Sequence, residues 1–227
     1  VGCPAMATTQ RAASSSGPQS ERELRASQSA SAKHSRPRQL SIDAAILLAC
    51  ALIGAFGTKA FVGQIFSIPS DSMQMTVSPG ERLFAEKVSY RFRSIERGDV
   101  VVFDGKGIFN EPAPGATMFV KRVVGLPGER IACCDASGKL TVDGVALDES
   151  QYLYPGDVPS SLTFSVRVPV GKLWLMGDHR SDSADSRAYL GAPGGGFVPE
   201  ERVVGRAMAV VWPLSSGRSI DSPTYRR

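Results

Sequence analysis

The chain has 227 residues, enough for one full domain plus shorter segments, and its 42% hydrophobic content is ordinary for a globular protein. Its formal charge of +4 is confined to residues 1–40, where Arg11, Arg22, Arg25, Lys33, Arg36 and Arg38 face only Glu21 and Glu23; the remainder carries twenty basic and twenty acidic side chains. A body without basic excess argues against nucleic-acid binding.

Residues 1–40 are rich in Ser, Ala, Gln and Arg, with almost no large apolar side chain before Leu40. Such a segment cannot bury enough surface to offset chain entropy, so it is expected to be a disordered tail. A 41–66 anchor follows. From Ala44 to Phe66 the sequence reads AAILLACALIGAFGTKAFVGQIF, 23 residues whose only charge is Lys59. That is close to the length a helix needs to cross about 30 Å of hydrocarbon, and Lys59 lies where a long side chain can snorkel. A buried core helix is disfavoured by the length and uniformity of the run. A cleaved leader ending at Cys50 is disfavoured because only Ala44–Ala49 separate Cys50 from Asp43, shorter than an apolar leader core of about 7–15 residues. Lys33, Arg36 and Arg38 precede the run, and no basic residue lies between Lys59 and Arg82. The positive-inside rule then predicts a single crossing of a lipid bilayer, with residues 1–40 cytoplasmic and the body extracytoplasmic.

Residues 67–213 read as a mostly β domain. RLFAEKVSY, DVVVF, MFVKRVVG, KLTVDGVAL, FSVRVPVGKLWLMG and RVVGRAMAVVW are short β-type runs broken by Gly, Pro and Asp. Asp143-Gly144 signals a hairpin, and Pro127-Gly128 a turn. No repeat and no convincing amphipathic helix is found here. Residues 214–227 are polar and read as a loose C-terminal tail.

Three stretches carry candidate chemistry. IPSDSMQM places Ser70 and Ser72 directly after the apolar run. In MFVKRVVG, Phe119, Lys121 and Val123 share one strand face. A lysine between apolar neighbours is costly to charge, so its pKa should fall from about 10.4 toward values at which a neutral amine can act as a base. MGDHRSDSADSR packs Asp, Ser and Arg into a loop after KLWLM; the spacing of Asp178, Asp182 and Asp185 does not fit an alternating calcium loop. Cys133 and Cys134 are adjacent, and in an oxidising compartment a vicinal disulfide, two buried thiols and pairing with another chain all stay open.

Taken in order after an anchor, PSDSMQMTV, GERLFAEKVSYRF, KRVVGLPGE and GDHRSDSADSR resemble the boxes of bacterial type I signal peptidases, over a span from Pro69 to Arg187. The family's serine box reads approximately Pro-Ser-x-Ser-Met-x-Pro-Thr-Leu, and this chain departs from it at Met75 and Val77. The resemblance implies a membrane-bound serine endopeptidase of the bacterial plasma membrane that removes signal peptides from exported preproteins after small residues, in an Ala-x-Ala pattern. It implies Ser72 as nucleophile, Lys121 as general base, and the Ser70 hydroxyl with the Ser72 N–H as oxyanion hole. It further implies Ser183 orienting the lysine amine, a supporting Asp185–Arg187 ion pair, and neither cofactor nor metal. Neither His34 nor His179 is required as a base, which makes this a Ser-Lys dyad rather than a triad. Methionine in place of proline at position 75 is expected to leave the backbone after the nucleophile freer. Self-cleaving Ser-Lys repressors carry a DNA-binding helical domain where this chain has its anchor, and a catalytically dead β domain would have lost Ser72 or Lys121.

Overall fold

A run such as Val100-Val101-Val102-Phe103 has no polar face, and a strand of that kind must be covered on both sides. In the computed structural model, which describes residues 42–52, 54, 63–110, 115–223 and 225, all four of these side chains are buried. The strands in chain order are β1 (Gly63–Ser67), β2 (Arg82–Glu86), β3 (Val100–Asp104), β4 (Met118–Gly125), β5 (Arg130–Cys133) and β6 (Thr141–Val142). They continue with β7 (Val145–Ala146), β8 (Phe164–Arg167), β9 (Lys172–Met176), β10 (Val198–Pro199), β11 (Val203–Trp212) and β12 (Arg218–Ser219). Two antiparallel sheets result. The larger runs β1-β2-β11-β3-β4-β9-β10, with β12 also on β11; the smaller runs β7-β6-β5-β8.

The centre of the larger sheet explains its sequence. Val100 and Val102 join Ile68, Met73, Val77 and Leu83 in one apolar cluster, whereas Val101 and Phe103 join Val123, Leu173 and Leu175 in another. Alternation along β3 therefore feeds two cores, one on each face. A third cluster lies where the smaller sheet meets β9, with Trp174 packed against Phe164 and Phe197 at ring separations of 5.4 and 5.3 Å. The Asp143-Gly144 hairpin forms with positive φ at both residues, 49° and 83°, as its two-residue turn requires. Apart from residues 42–52 and 54, helical backbone among the described residues is limited to three-residue 3₁₀ turns.

The expected mostly β body and each of its six β-type runs have counterparts here, but three segments differ from expectation. Residues 42–52 are helical, with Ile42, Ile46, Leu47, Leu48 and Leu52 exposed, yet no helix among the described residues is long and apolar enough to cross a membrane. The central part of the anticipated span, including Lys59, lies outside the described residues, as does the anticipated tail 1–40. The end of that span is corrected: Gly63–Phe66 belong to β1, where Phe66 pairs with Leu83 and Gly63 with Glu86. Nor are residues 213–223 loose. Val210 pairs with Arg218, Ile220 is buried in the first cluster, and Ser222 Oγ donates to Asp99 Oδ1 at 2.9 Å. Short polar segments of this kind are ordered by partners far away in sequence, which composition does not register.

Candidate active site

Ser72 lies in a tight turn that its apolar neighbours pin to the core. Met73 and Val77 are buried in the first cluster, and Gln74 N, Thr76 N and Val77 N donate to Asp71 O, Met73 O and Met73 O at 2.8, 2.9 and 2.8 Å. The base of the loop is closed by Ile68 N to Glu81 O (3.0 Å) and Gly80 N to Ile68 O (2.8 Å). Opposite it, β4 brings Lys121 to the same point from a strand that also carries Phe119, Val120, Val123 and Val124. Lys121 Nζ donates to Ser72 Oγ at 2.5 Å, and the lysine is only 4% exposed. Burial pushes its pKa down to about 8; Asp185 and Asp178 pull upward less strongly, and Arg187 adds to the downward shift.

The loop after β9 supplies the back wall. A Cβ on Gly177 would lie 2.3 Å from Ser183 Oγ and 2.5 Å from Ser72 O, so glycine is what permits this approach. His179 N donates to Ser72 O at 3.2 Å. Asp185 accepts from Arg187 Nε (2.9 Å) and Nη2 (2.7 Å) and from Gly177 N (3.0 Å). Burial alone would raise the Asp185 carboxyl, but these hydrogen bonds and the Arg187 charge hold it below the usual carboxylate range. Ser70 Oγ lies 3.3 Å from Ser72 Oγ on the exposed side. Ser183 does not fit its anticipated place: its Oγ is buried and makes no hydrogen bond among the described residues, to Lys121 or otherwise.

Two further groups were not anticipated. Arg122, the residue after Lys121, projects from the opposite face of β4 and forms a buried fork with Asp178, Nε to Oδ1 at 2.8 Å and Nη2 to Oδ2 at 2.7 Å. Thr76 Oγ1 joins that pair, donating to Asp178 Oδ2 at 2.5 Å and accepting from Arg122 Nη2 at 3.0 Å. This network grips the serine turn from behind, and the only hint of it in sequence is the Lys-Arg doublet. Arg180 and Glu149 form a second buried pair nearby. Asp178 and Asp185 are thus engaged by arginines, and no metal-holding group of His, Cys, Asp or Glu is found among the described residues.

Met75 also departs from expectation. Its φ is 102°, a region that costs a non-glycine residue of order 1–3 kcal/mol and that proline, locked near −65°, cannot enter. Residue 75 thus adopts a backbone that proline could not, and the residue after it is held by side chains. Cys133 and Cys134 are joined as a vicinal disulfide at the end of β5.

An apolar cleft of about 440 Å³ opens beside the Ser72 hydroxyl, with Ile68, Pro69, Met118, Val120 and Ala184 among its walls. A family model described as "Signal peptidase, peptidase S26" matches residues 41–212. The chain belongs to this signal peptidase family. It is 35% identical over 182 residues to a probable signal peptidase I-2 of Synechocystis sp., covering 80% of this chain and 78% of the relative. It is also 33% identical over 173 residues to a signal peptidase I of Leptolyngbya laminosa, covering 75% and 80%. With a probable signal peptidase I of Mycobacterium leprae it shares 33% identity over 227 aligned positions, covering 78% of each. This signal peptidase is therefore a hydrolase whose substrates are preproteins, and its cleft faces the serine turn.

Proposed function

We propose that the peptidase cleaves signal peptides from exported preproteins with a Ser72–Lys121 dyad, after small residues in an Ala-x-Ala pattern. The observation that carries this reading is the buried amine 2.5 Å from a hydroxyl, with burial lowering its affinity for a proton. In the neutral form Lys121 Nζ accepts the Ser72 proton as Oγ attacks the scissile carbonyl carbon. The resulting ammonium donates that proton to the leaving amine when the C–N bond breaks, leaving an acyl ester on Ser72. Water then attacks the ester, giving its proton to Lys121, which returns it to Ser72 Oγ as the ester C–O bond breaks; the carboxylate product leaves and the hydroxyl and neutral amine are restored. The negative oxygen formed in each step is stabilised by the Ser72 N–H and the Ser70 hydroxyl. Asp185 and Arg187 hold the wall behind the lysine. The apolar cleft beside Ser72 suits small apolar side chains, which supports the substrate pattern.

The segment 41–62 tethers the enzyme to the bacterial plasma membrane, with the N-terminus cytoplasmic and the β body outside. The exposed leucines and isoleucines of residues 42–52 and the basic cluster before them support this placement. The experiment is cleavage of a preprotein by the full chain in detergent, followed by sequencing of the new N-terminus. A product starting after a small residue is expected, and none with Ser72→Ala; cleavage by Ser72→Ala would overturn the dyad. Ser70→Ala should lower kcat by about a hundred- to a thousandfold with little change in KM, and Ser70→Thr should retain much more. Parental kcat in Ser70→Ala would remove Ser70 from the oxyanion hole.

A further inference from the structure

We propose that Arg218, on the strap that follows the last long strand, is a positioning residue for Ser72, clamping the far end of the serine turn in place of a backbone constraint. The clamp has three arms. Arg218 Nη2 donates to the Thr76 carbonyl at 2.8 Å, and Nη1 and Nη2 donate to Glu81 Oε1 and Oε2 at 2.8 and 2.7 Å. Glu81 Oε2 in turn accepts from Ser78 N at 2.8 Å, so one guanidinium ties both ends of the segment from Thr76 to Glu81. The Arg218 guanidinium, offset in part by burial, holds the Glu81 carboxyl below the usual carboxylate range, consistent with a persistent pair. Arg218 is itself fixed, because it pairs with Val210 in the ladder between β12 and β11 and donates from Nη1 to Ser216 O at 2.9 Å.

The turn needs such a clamp because of Met75. With φ at 102°, residue 75 occupies a conformation no proline can impose, and a methionine there imposes none of its own. The Thr76 peptide beyond it is held on its side chain by Asp178 and Arg122 and on its carbonyl by Arg218. Planar two-pronged donation to a carboxylate with a further bond to a carbonyl is a geometry that arginine supplies and lysine does not. Small displacements of a nucleophile are costly even when the displaced group is remote, by as much as about a hundredfold for 1 Å.

The proposal rests on Ser72 being the nucleophile, and two readouts separate it from that reading. In preprotein cleavage by the full chain, Arg218→Ala should lower kcat by about ten- to a hundredfold and Arg218→Lys by less, with KM within about twofold of the parent. The pH midpoint of kcat should stay where the parent has it, because the clamp does not touch Lys121. Ser222→Ala, which loosens the same strap at Asp99, should keep the parental kcat. Amide exchange of Thr76 and Val77, both donors to Met73 O, should quicken in Arg218→Ala and not in Ser222→Ala, a readout that needs no catalysis. If cleavage never occurs even in the parent, the dyad reading falls while the exchange data still judge the clamp. Unchanged exchange and kcat in both Arg218 variants, equal losses in Ser222→Ala, or a shifted pH midpoint would each overturn it.

Discussion

Lys121 and Arg122 are neighbours in sequence, both buried, and treated in opposite ways by the fold. On one face of β4, the Lys121 amine has a single hydrogen bond among the described residues, to a neutral hydroxyl, and burial drives its pKa down to about 8. On the other face, burial would likewise lower Arg122, but the Asp178 charge and its forked hydrogen bonds more than offset this and raise it. The Arg122 guanidinium also donates to Gly98 O at 2.7 Å and lies 4.3 Å over the ring of Tyr152. Burial alone does not decide what a cation becomes; the charge of its partner and the basicity of the group do, a guanidinium paired with a carboxylate keeping its proton where a lone amine does not. A cation with every donor satisfied is structural, and one with its donors left wanting is disposed to give up a proton.

Exchanging each for an apolar side chain should separate the two roles. The largest effect is expected for Lys121→Met, which should abolish cleavage, by on the order of 10⁴-fold or more, since the proposed dyad has no other base. Its thermal stability at pH 7 should equal or exceed that of the parent, because a buried amine that is hard to charge has been removed. Appreciable turnover of Lys121→Met on a preprotein would end the contrast. Arg122→Met should do the reverse in kind. It leaves Asp178 buried without its cation, at a cost of about 3–5 kcal/mol of stability. Thermal unfolding of the two variants side by side measures this, and an unchanged Arg122→Met melting temperature would show the fork to be dispensable.

The smallest expected effect is the titration itself. With Lys121, the proposed base, at about 8, kcat/KM should rise about tenfold per pH unit below that value and level above it. A midpoint near the ordinary histidine value of about 6.5 would point to another base. Stability carries the same signature. Because Lys121 is depressed in the folded state from 10.5 to about 8, the unfolded chain binds more protons between those values. The parent should therefore gain stability relative to Lys121→Met as pH rises through that window.

What could be read in the sequence follows from what each residue contacts. DVVVF and MFVKRVVG announce themselves because their burial is expressed in consecutive side chains, and the depressed lysine follows from its valine neighbours. The serine and lysine stretches were legible through their family pattern. Strand β1 was hidden because GQIF continues the apolar run before it without a break in hydropathy. RIAC was too short and too mixed to stand out as β5. Arg122 and Asp178 are 56 residues apart, and Arg218 and Glu81 are 137 apart; no local pattern ties such pairs. The strap after Trp212 was missed for the same reason, since its order comes almost wholly from distant partners.

The strand order has a consequence in time. Ser72 and Lys121 both precede β11, the strand lying between β2 and β3, which is made of residues 203–212. Until that stretch exists, β2 and β3 each present an open edge, and the strand leading out of the serine turn has no route of pairing to the strands that carry the lysine. Pairings of such long sequence separation form slowly, after the loops between them have closed. The backbone ladder that joins the strand after the serine turn to the strand bearing the lysine is therefore completed only once residues 203–212 have been made, well after Ser72 and Lys121 themselves.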